Sequence, residues 1–166
     1  MIEIYSPSVH EICSFHSRNT SSKLDGTQYK YNRNKLVNMS DDYIKPKDLK
    51  VYQLSRKVSK IGWKAYNKLD WRDKKIMGDQ FIRSVDSVGA NIIEGYGRYH
   101  YLDKIKFYYN ARASLLEAKH WVSLLKERGK VSQKRFNNFK KIFKSLEIKL
   151  NNFIKTTYES KESEQE

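Results

Sequence analysis

Three polar side chains at helical spacing, Asn91, Glu94 and Arg98, stand out in the stretch SVDSVGANIIEGYGR, which spans residues 84–98. Residues three and four apart share one face of an α-helix. A carboxylate, an amide and a guanidinium on one face can form an ion pair or a hydrogen-bond network. The partner of Glu94 can be Arg98, one turn away, or Arg112, and the spacing leaves both open. The set predicts a structural role for Glu94.

Other candidate groups for chemistry are incomplete. Glu117 and His120 have the Glu-x-x-His spacing of half a di-iron site, but no second motif of this kind exists in the chain. His10, Cys13 and His16 are spaced by three residues and lack a fourth ligand. No glycine-rich phosphate loop is present either. We therefore predict a protein that is not an enzyme and that has no metal or other cofactor.

The composition favours a small basic protein with a polyanionic partner. The 166 residues include 33 Lys and Arg against 19 Asp and Glu, which gives a net charge of +14. Such an excess predicts binding to RNA or DNA first and to an anionic membrane second. The single cysteine excludes an internal disulfide, and no apolar run approaches the length of about 20 residues that a membrane span needs. We expect a cytoplasmic protein without a membrane partner.

Hydrophobic periodicity predicts one helical domain. Apolar residues recur at steps of three and four in four consecutive segments, and no stretch alternates with period two. The pattern indicates an all-α fold, an antiparallel up-down-up-down four-helix bundle. The predicted parts are a loose extension at residues 1–45, a bundle at 46–158 with helices at about 46–68, 73–96, 102–128 and 132–158, and an acidic tail at 159–166.

The second and third helices each carry a second, polar face, which we call the polar seams. The seams consist of Gln80, Ser84, Ser87, Asn91, Glu94 and Arg98 on the second helix, and of Asn110, Ser114, Glu117 and Trp121 on the third. Small and amide-bearing residues allow close approach and hydrogen bonding across a contact, and Gly95 and Gly97 fit close approach or a helix end. We predict that the seams contact another subunit; the alternative is an ordinary polar face on a monomer.

Basic residues gather on the first and fourth helices. They face away from the apolar stripes, and adjacent helices would join them in one patch that contacts phosphates with little sequence preference. The alternative is a basic face that only confers solubility. The predicted nucleic-acid-binding residues are Arg56, Lys60, Lys64, Lys134, Lys140, Lys141, Lys144 and Lys155.

The run Asn91-Ile-Ile-Glu94-Gly95-Tyr-Gly97-Arg98, with Arg112, Ser114 and Glu117 after it, resembles the bacterial four helix bundle protein family. That family includes proteins encoded in intervening sequences of ribosomal RNA genes, and it is related to the accessory variability determinants of diversity-generating retroelements. The resemblance covers about residues 46–158. It implies a bundle that assembles as a homo-pentamer, and its retroelement relatives bind nucleic acid and a reverse transcriptase.

Three functions remain open from the sequence. The first is a non-catalytic scaffold or adaptor that binds nucleic acid, RNA before DNA. The second is an accessory subunit that docks on a reverse transcriptase in a retroelement. The third is a purely structural oligomer.

Overall fold

The computed structural model describes residues 44–162, with side chains described as far as residue 160. Within this range the chain forms four long helices and no strand: α1 (Lys50–Tyr66), α2 (Asp79–Gly97), α3 (Tyr101–Glu127) and α4 (Gln133–Glu162). The prediction of an all-α four-helix bundle is confirmed. The predicted extension lies outside the described residues except for its last two, Ile44 and Lys45.

Both outer boundaries of the bundle differ from the prediction. Pro46–Asp48 is a short 3-10 turn, and the backbone of Leu49 is extended (φ −65°, ψ 117°), so α1 begins at Lys50 rather than at Pro46. At the other end α4 continues to Glu162, four residues into the predicted acidic tail. No proline or glycine interrupts this end, so the backbone hydrogen bonds of the helix can continue through the polar residues.

The connection between α1 and α2 is itself helical. Asp70 caps its first turn, Trp71–Asp73, by accepting a hydrogen bond from the backbone N–H of Asp73 (2.8 Å). A π-helical segment, Lys74–Gly78, then leads into α2. Lys130, from the link between α3 and α4, lies 2.5 Å from the Asp73 carboxylate and 3.9 Å from that of Asp70. This ion pair joins two connections at one end of the bundle.

Two hydrogen bonds between α1 and α2 show that these two helices are antiparallel. Tyr66, the last residue of α1, donates a hydrogen bond to Asp79, the first residue of α2 (2.8 Å). Ser59, seven residues earlier on α1, donates to Asp86, seven residues later on α2 (2.6 Å), as expected for an antiparallel pair. Helix α3 also packs on α2, and α4 lies against both α3 and α1, so that the four helices surround a common core.

The core consists of the apolar stripes of all four helices. Val58, Phe81, Leu115 and Leu146 are almost completely buried, and Phe81 meets Phe139 of α4 edge to face at 5.9 Å. No buried side-chain nitrogen or oxygen lacks a hydrogen-bond partner in the described part of the chain. The core is thus predominantly apolar, and its few buried polar side chains, Ser55, Asp73 and Ser84, have partners.

Candidate nucleic-acid interface

The charge of the bundle is concentrated on two adjacent helices. Helix α1 carries five basic and no acidic residues, and α4 carries eight basic and three acidic residues. Helix α2 has one basic and three acidic residues, and α3 has five basic and three acidic ones. The net charge is therefore +10 on α1 and α4 together and zero on α2 and α3 together. Because α1 and α4 are neighbours, one side of the bundle is strongly cationic.

All eight predicted nucleic-acid-binding residues have exposed side chains. Their ion pairs within the chain are few. Lys155 lies 3.5 Å from Glu159 one turn later on α4, and both side chains are largely exposed. The ammonium of Lys140 lies 5.7 Å from the ring centroid of Phe136. Most of the positive charge on this side is thus not neutralised by described carboxylates.

The predicted residues do not form one patch, however. Lys155 lines a groove between α3 and α4 together with Tyr109, Arg112 and Tyr158. At 100° per residue, Lys140 and Lys144 lie on the same side of α4 as Lys155, whereas Lys134 and Lys141 lie nearer to α1. The five lysines of α4 therefore divide into two rows, because their arc opposite the core is wide enough to face both neighbouring helices.

Two further lysines line the groove between α1 and α4, and sequence reasoning missed them. Lys50 and Lys149 flank this groove, whose floor includes Leu49, Val51 and Phe153. Both lysines lie beside core positions rather than opposite them, so a search for residues facing away from the apolar stripe passes over them. Knowledge of which helices are neighbours would have identified them.

Helical spacing extends this groove into a basic row. Lys57 and Lys64 follow Lys50 at intervals of seven residues and so lie on the same side of α1. On α4, Arg135 precedes Lys149 by fourteen residues and shares its side. We call these five cations, Lys50, Lys57, Lys64, Arg135 and Lys149, the groove row. They are spaced along the two helices that border the groove, an arrangement suited to a chain of phosphates.

The ion-pair partner of Glu94 is Arg98. The two side chains remain 50% and 45% exposed, and the Arg98 guanidinium lies 4.6 Å from the ring centroid of Phe107 on α3. Arg112 lies instead over the ring of Tyr109, at 4.6 Å. Glu94 is thus half of a solvent-accessible pair that braces the end of α2 against α3, and the structural role predicted for it is that of an exposed ion pair.

Two members of the predicted subunit interface lie inside their own subunit. Ser84 is only 2% exposed, and its hydroxyl donates to the backbone carbonyl of Phe81 (2.8 Å). Gly95 is buried, and a Cβ atom built on it would lie 2.6 Å from Tyr108 Cε1. Their small size serves the packing of the subunit itself, which fits the close approach expected of Gly95. The contact of the polar seams with another subunit stays a prediction.

The other seam residues keep some exposure. Asn91 and Ser114 are half-buried, and the Asn91 amide donates to the Ser87 carbonyl one turn earlier (2.8 Å). Glu117 is exposed and accepts a hydrogen bond from the indole of Trp121 (3.1 Å). Gly97 is exposed, and a Cβ atom there would meet nothing within 4 Å.

The described residues contain neither a candidate metal site nor a candidate membrane-spanning helix. No group of three or more His, Cys, Asp or Glu side chains is placed to hold a metal ion in residues 44–160. His10, Cys13 and His16 lie outside the described residues. None of the helices described above is long and apolar enough to cross a membrane.

Comparison with known protein families identifies the family of this bundle. The family model described as 23S rRNA-intervening sequence protein matches residues 47–152, which is most of the helical domain. This chain belongs to that family. The match begins in the 3-10 turn before α1 and ends within α4.

A solved structure supports the same fold. The chain is similar to the crystal structure of a protein with unknown function from the S23 ribosomal protein family of Bacteroides thetaiotaomicron, with 23% sequence identity and a TM-score of 0.59. The alignment covers 63% of this chain and 98% of that chain. At this level of identity the likeness shows the fold alone. Comparison with curated proteins found no match.

Proposed function

We propose that this family member is a non-catalytic bundle that binds nucleic acid, RNA before DNA, through the cationic side formed by α1 and α4. The observation that carries the proposal is the separation of charge: +10 on these two helices and zero on the other two. An even distribution of the same charge over all four helices would serve solubility equally well. A cationic side with two grooves instead concentrates the field where a phosphate chain can lie.

Contacts of this kind act on the backbone of the nucleic acid. Lysine and arginine side chains on helix surfaces reach phosphate oxygens and release condensed counterions. The groove between α1 and α4 is flanked by Lys50 and Lys149, whose ammonium groups can reach phosphates. The protein therefore binds many sequences with similar affinity and acts as a scaffold or adaptor.

The proposed scaffold is a homo-oligomer, and the resemblance to the four helix bundle family favours a pentamer. Helix α3 supports assembly, because its outer face carries exposed apolar side chains although its inner face already fills the core. Leu102 is 67% exposed and Leu116 is 56% exposed, and Tyr109 lies between them at seven-residue intervals. Helices that are apolar on two sides are typically covered on both. Repetition of the cationic side around an oligomer raises the affinity for a long polyanion.

The test is a titration of the protein with RNA and DNA at several salt concentrations. The logarithm of the affinity should fall linearly with the logarithm of salt, with a slope of about −0.9 per phosphate neutralised on duplex DNA. Lys141→Glu combined with Lys144→Glu should weaken binding to every sequence alike and flatten the slope. Lys106→Glu with Arg83→Glu, at exposed positions of α3 and α2, is the matched control and should retain most of the affinity.

Two results would contradict the proposal. Equal losses in both double variants would mean that the field of the whole protein matters and that the cationic side does not. Failure to bind any nucleic acid at low salt would favour the second candidate, an accessory subunit with an acidic protein partner such as a reverse transcriptase. The same cationic side supports that candidate, since it would attract acidic side chains as well as phosphates.

A further inference from the structure

An exposed tryptophan on α1 lies among the cations of the proposed interface. Trp63 is 53% exposed, although tryptophan is among the side chains that proteins bury most completely on average. One turn before it stands Lys60, two turns before it Arg56, and next to it Lys64. Arg56, Lys60 and Trp63 follow one another at steps of four and three, so they share one face of the helix. One exposed aromatic ring thus lies in line with two cations on the same face of α1.

The ring of Trp63 is held in place by its own helix. It stacks on Tyr66 with ring centroids 5.4 Å apart and planes inclined by only 18°. Tyr66 is fixed in turn, because its hydroxyl donates to Asp79 at the start of α2 (2.8 Å) and the ammonium of Lys74 lies 5.1 Å from its ring centroid. A Cβ atom built on Gly78 would lie only 3.3 Å from the Tyr66 ring, so the chain at Gly78 passes close to that ring. A rigid aromatic base therefore supports one face of Trp63 and leaves the other side to solvent.

We infer that Trp63 is a stacking platform for an unpaired base, and that the cationic side takes single-stranded nucleic acid in preference to duplex. The inference rests on the proposed function and names the form of nucleic acid at the same site. Aromatic rings interleaved with cations are the means by which proteins bind single strands without reading sequence, because every base has a flat face. Stacked bases in a duplex present no free face to a ring on a helix surface.

Other occupants fit the surroundings of Trp63 less well. A membrane surface rewards an apolar helix face, whereas the exposed neighbours of Trp63 on α1 are the polar residues Gln53, Arg56, Lys60 and Lys64. A second copy of this helix face would bring Arg56, Lys60 and Lys64 against the same three cations, with no acidic residue on α1 to relieve the repulsion. A polyanion with flat, unpaired rings satisfies both the charge and the aromatic surface.

The experiment compares a short oligouridylate with an RNA duplex of the same length, using the full chain. Trp63→Leu retains apolar bulk and removes the aromatic face, so it should lower the affinity for the oligouridylate by roughly five- to 150-fold, which corresponds to about 1–3 kcal/mol of stacking. Its affinity for the duplex should change by less than about twofold, since phosphate contacts are unaltered. Trp63→Phe should restore most of the single-strand affinity.

Tryptophan fluorescence supplies a second readout. Stacking on a base should quench the emission of the parent protein, and Trp63→Phe should bind the oligouridylate while losing most of that quenching. Tyr99→Ala is the matched control: this aromatic side chain is 89% exposed at the connection between α2 and α3, and its removal should leave the oligouridylate affinity unchanged.

The outcomes separate the two proposals. Absence of binding to either RNA would overturn the proposed function and this inference with it. Binding of both RNAs with equal losses, or with none, in Trp63→Leu would overturn the inference alone. A loss of oligouridylate binding in Tyr99→Ala but not in Trp63→Leu would move the platform to the other end of the bundle. Binding to anionic vesicles that depends on Trp63, with RNA affinity unchanged in Trp63→Leu, would assign the ring to a membrane surface instead.

Discussion

Replacement of Gly95 by alanine would place a methyl group into a close contact between α2 and α3. The added Cβ atom would lie 2.6 Å and 2.9 Å from Cε1 and Cδ1 of Tyr108, and 3.0 Å from the backbone carbonyl oxygen of Lys104. The Tyr108 ring is only 1% exposed and packs on Phe153 of α4 with centroids 4.7 Å apart. Neither the ring nor the backbone can move without displacing a second helix.

The expected magnitude follows from two opposing effects. Forcing extra volume into a packed contact costs about 1–3 kcal/mol. Alanine is a better helix former than glycine by about 1 kcal/mol in a helix interior, which offsets part of that cost. We therefore expect Gly95→Ala to lower the free energy of unfolding by about 1–2 kcal/mol, a change that shifts the melting temperature by several degrees.

Gly97→Ala is the matched control, two residues further along the same helix. A Cβ atom at Gly97 meets nothing within 4 Å, and its backbone does not have the positive φ that favours glycine. This variant should be as stable as the parent or more stable by about 0.5 kcal/mol. Urea denaturation followed by circular dichroism measures both variants. Equal stability of Gly95→Ala and the parent would refute the packing argument, as would an undiminished penalty when Tyr108→Leu makes room for the methyl group.

Three further predictions concern ion pairs and assembly. Glu94→Ala should lower the free energy of unfolding by less than about 1 kcal/mol, since its pair with Arg98 is half exposed; a larger loss in urea denaturation would mean that assembly buries the pair. Leu116→Glu should reduce the mass in solution to that of a monomer and leave the helical content intact. Ile76→Glu, at a similarly exposed site, should not change the mass. An unchanged mass of Leu116→Glu would exclude the outer face of α3 from the interface. The hydrogen bond from the Asp73 backbone N–H lowers the pKa of Asp70 below its usual 3.8. The stabilisation of the fold by the Asp70 carboxylate is therefore complete above pH 3.8 and is lost as the pH falls through the lowered pKa. Asp70→Asn should reduce this loss of stability in acid, and an unchanged pH profile would contradict the assigned cap.

The sequence predicted the helices well because their apolar residues follow the helical period over many turns. Val58, Phe81, Leu115 and Leu146, one from each helix, lie at this period and are all buried. The start of α1 was predicted four residues too early, because a proline suits the first turn of a 3-10 helix as well as that of an α-helix. Periodicity locates a helix by its middle and leaves its ends to local backbone geometry.

The candidate site was predicted less completely, because a single helix does not reveal where its neighbours lie. Residues opposite an apolar stripe, such as Lys60 and Lys141, are identified by spacing, and they are exposed. Residues at the edge of the stripe, such as Lys50 and Lys149, take part in a groove only through the helix beside them. Trp63 was passed over for a related reason, since an aromatic residue in an amphipathic helix is usually part of the core.

The polar seam shows why small residues are ambiguous in a sequence. Ser84 and Gly95 have the size expected of a contact between subunits, yet both serve contacts inside the subunit. Spacing cannot separate the two uses, since close approach of helices requires small residues whichever chain the second helix belongs to. Exposure separates the two uses. Within the Glu94-Gly95-Tyr-Gly97-Arg98 run, Gly95 is required by its close contact with Tyr108, and Glu94 pairs with Arg98. Gly97 instead faces solvent, and no contact there requires glycine. The exposed end of α2, together with the outer face of α3, is therefore where the subunit itself leaves room for a partner.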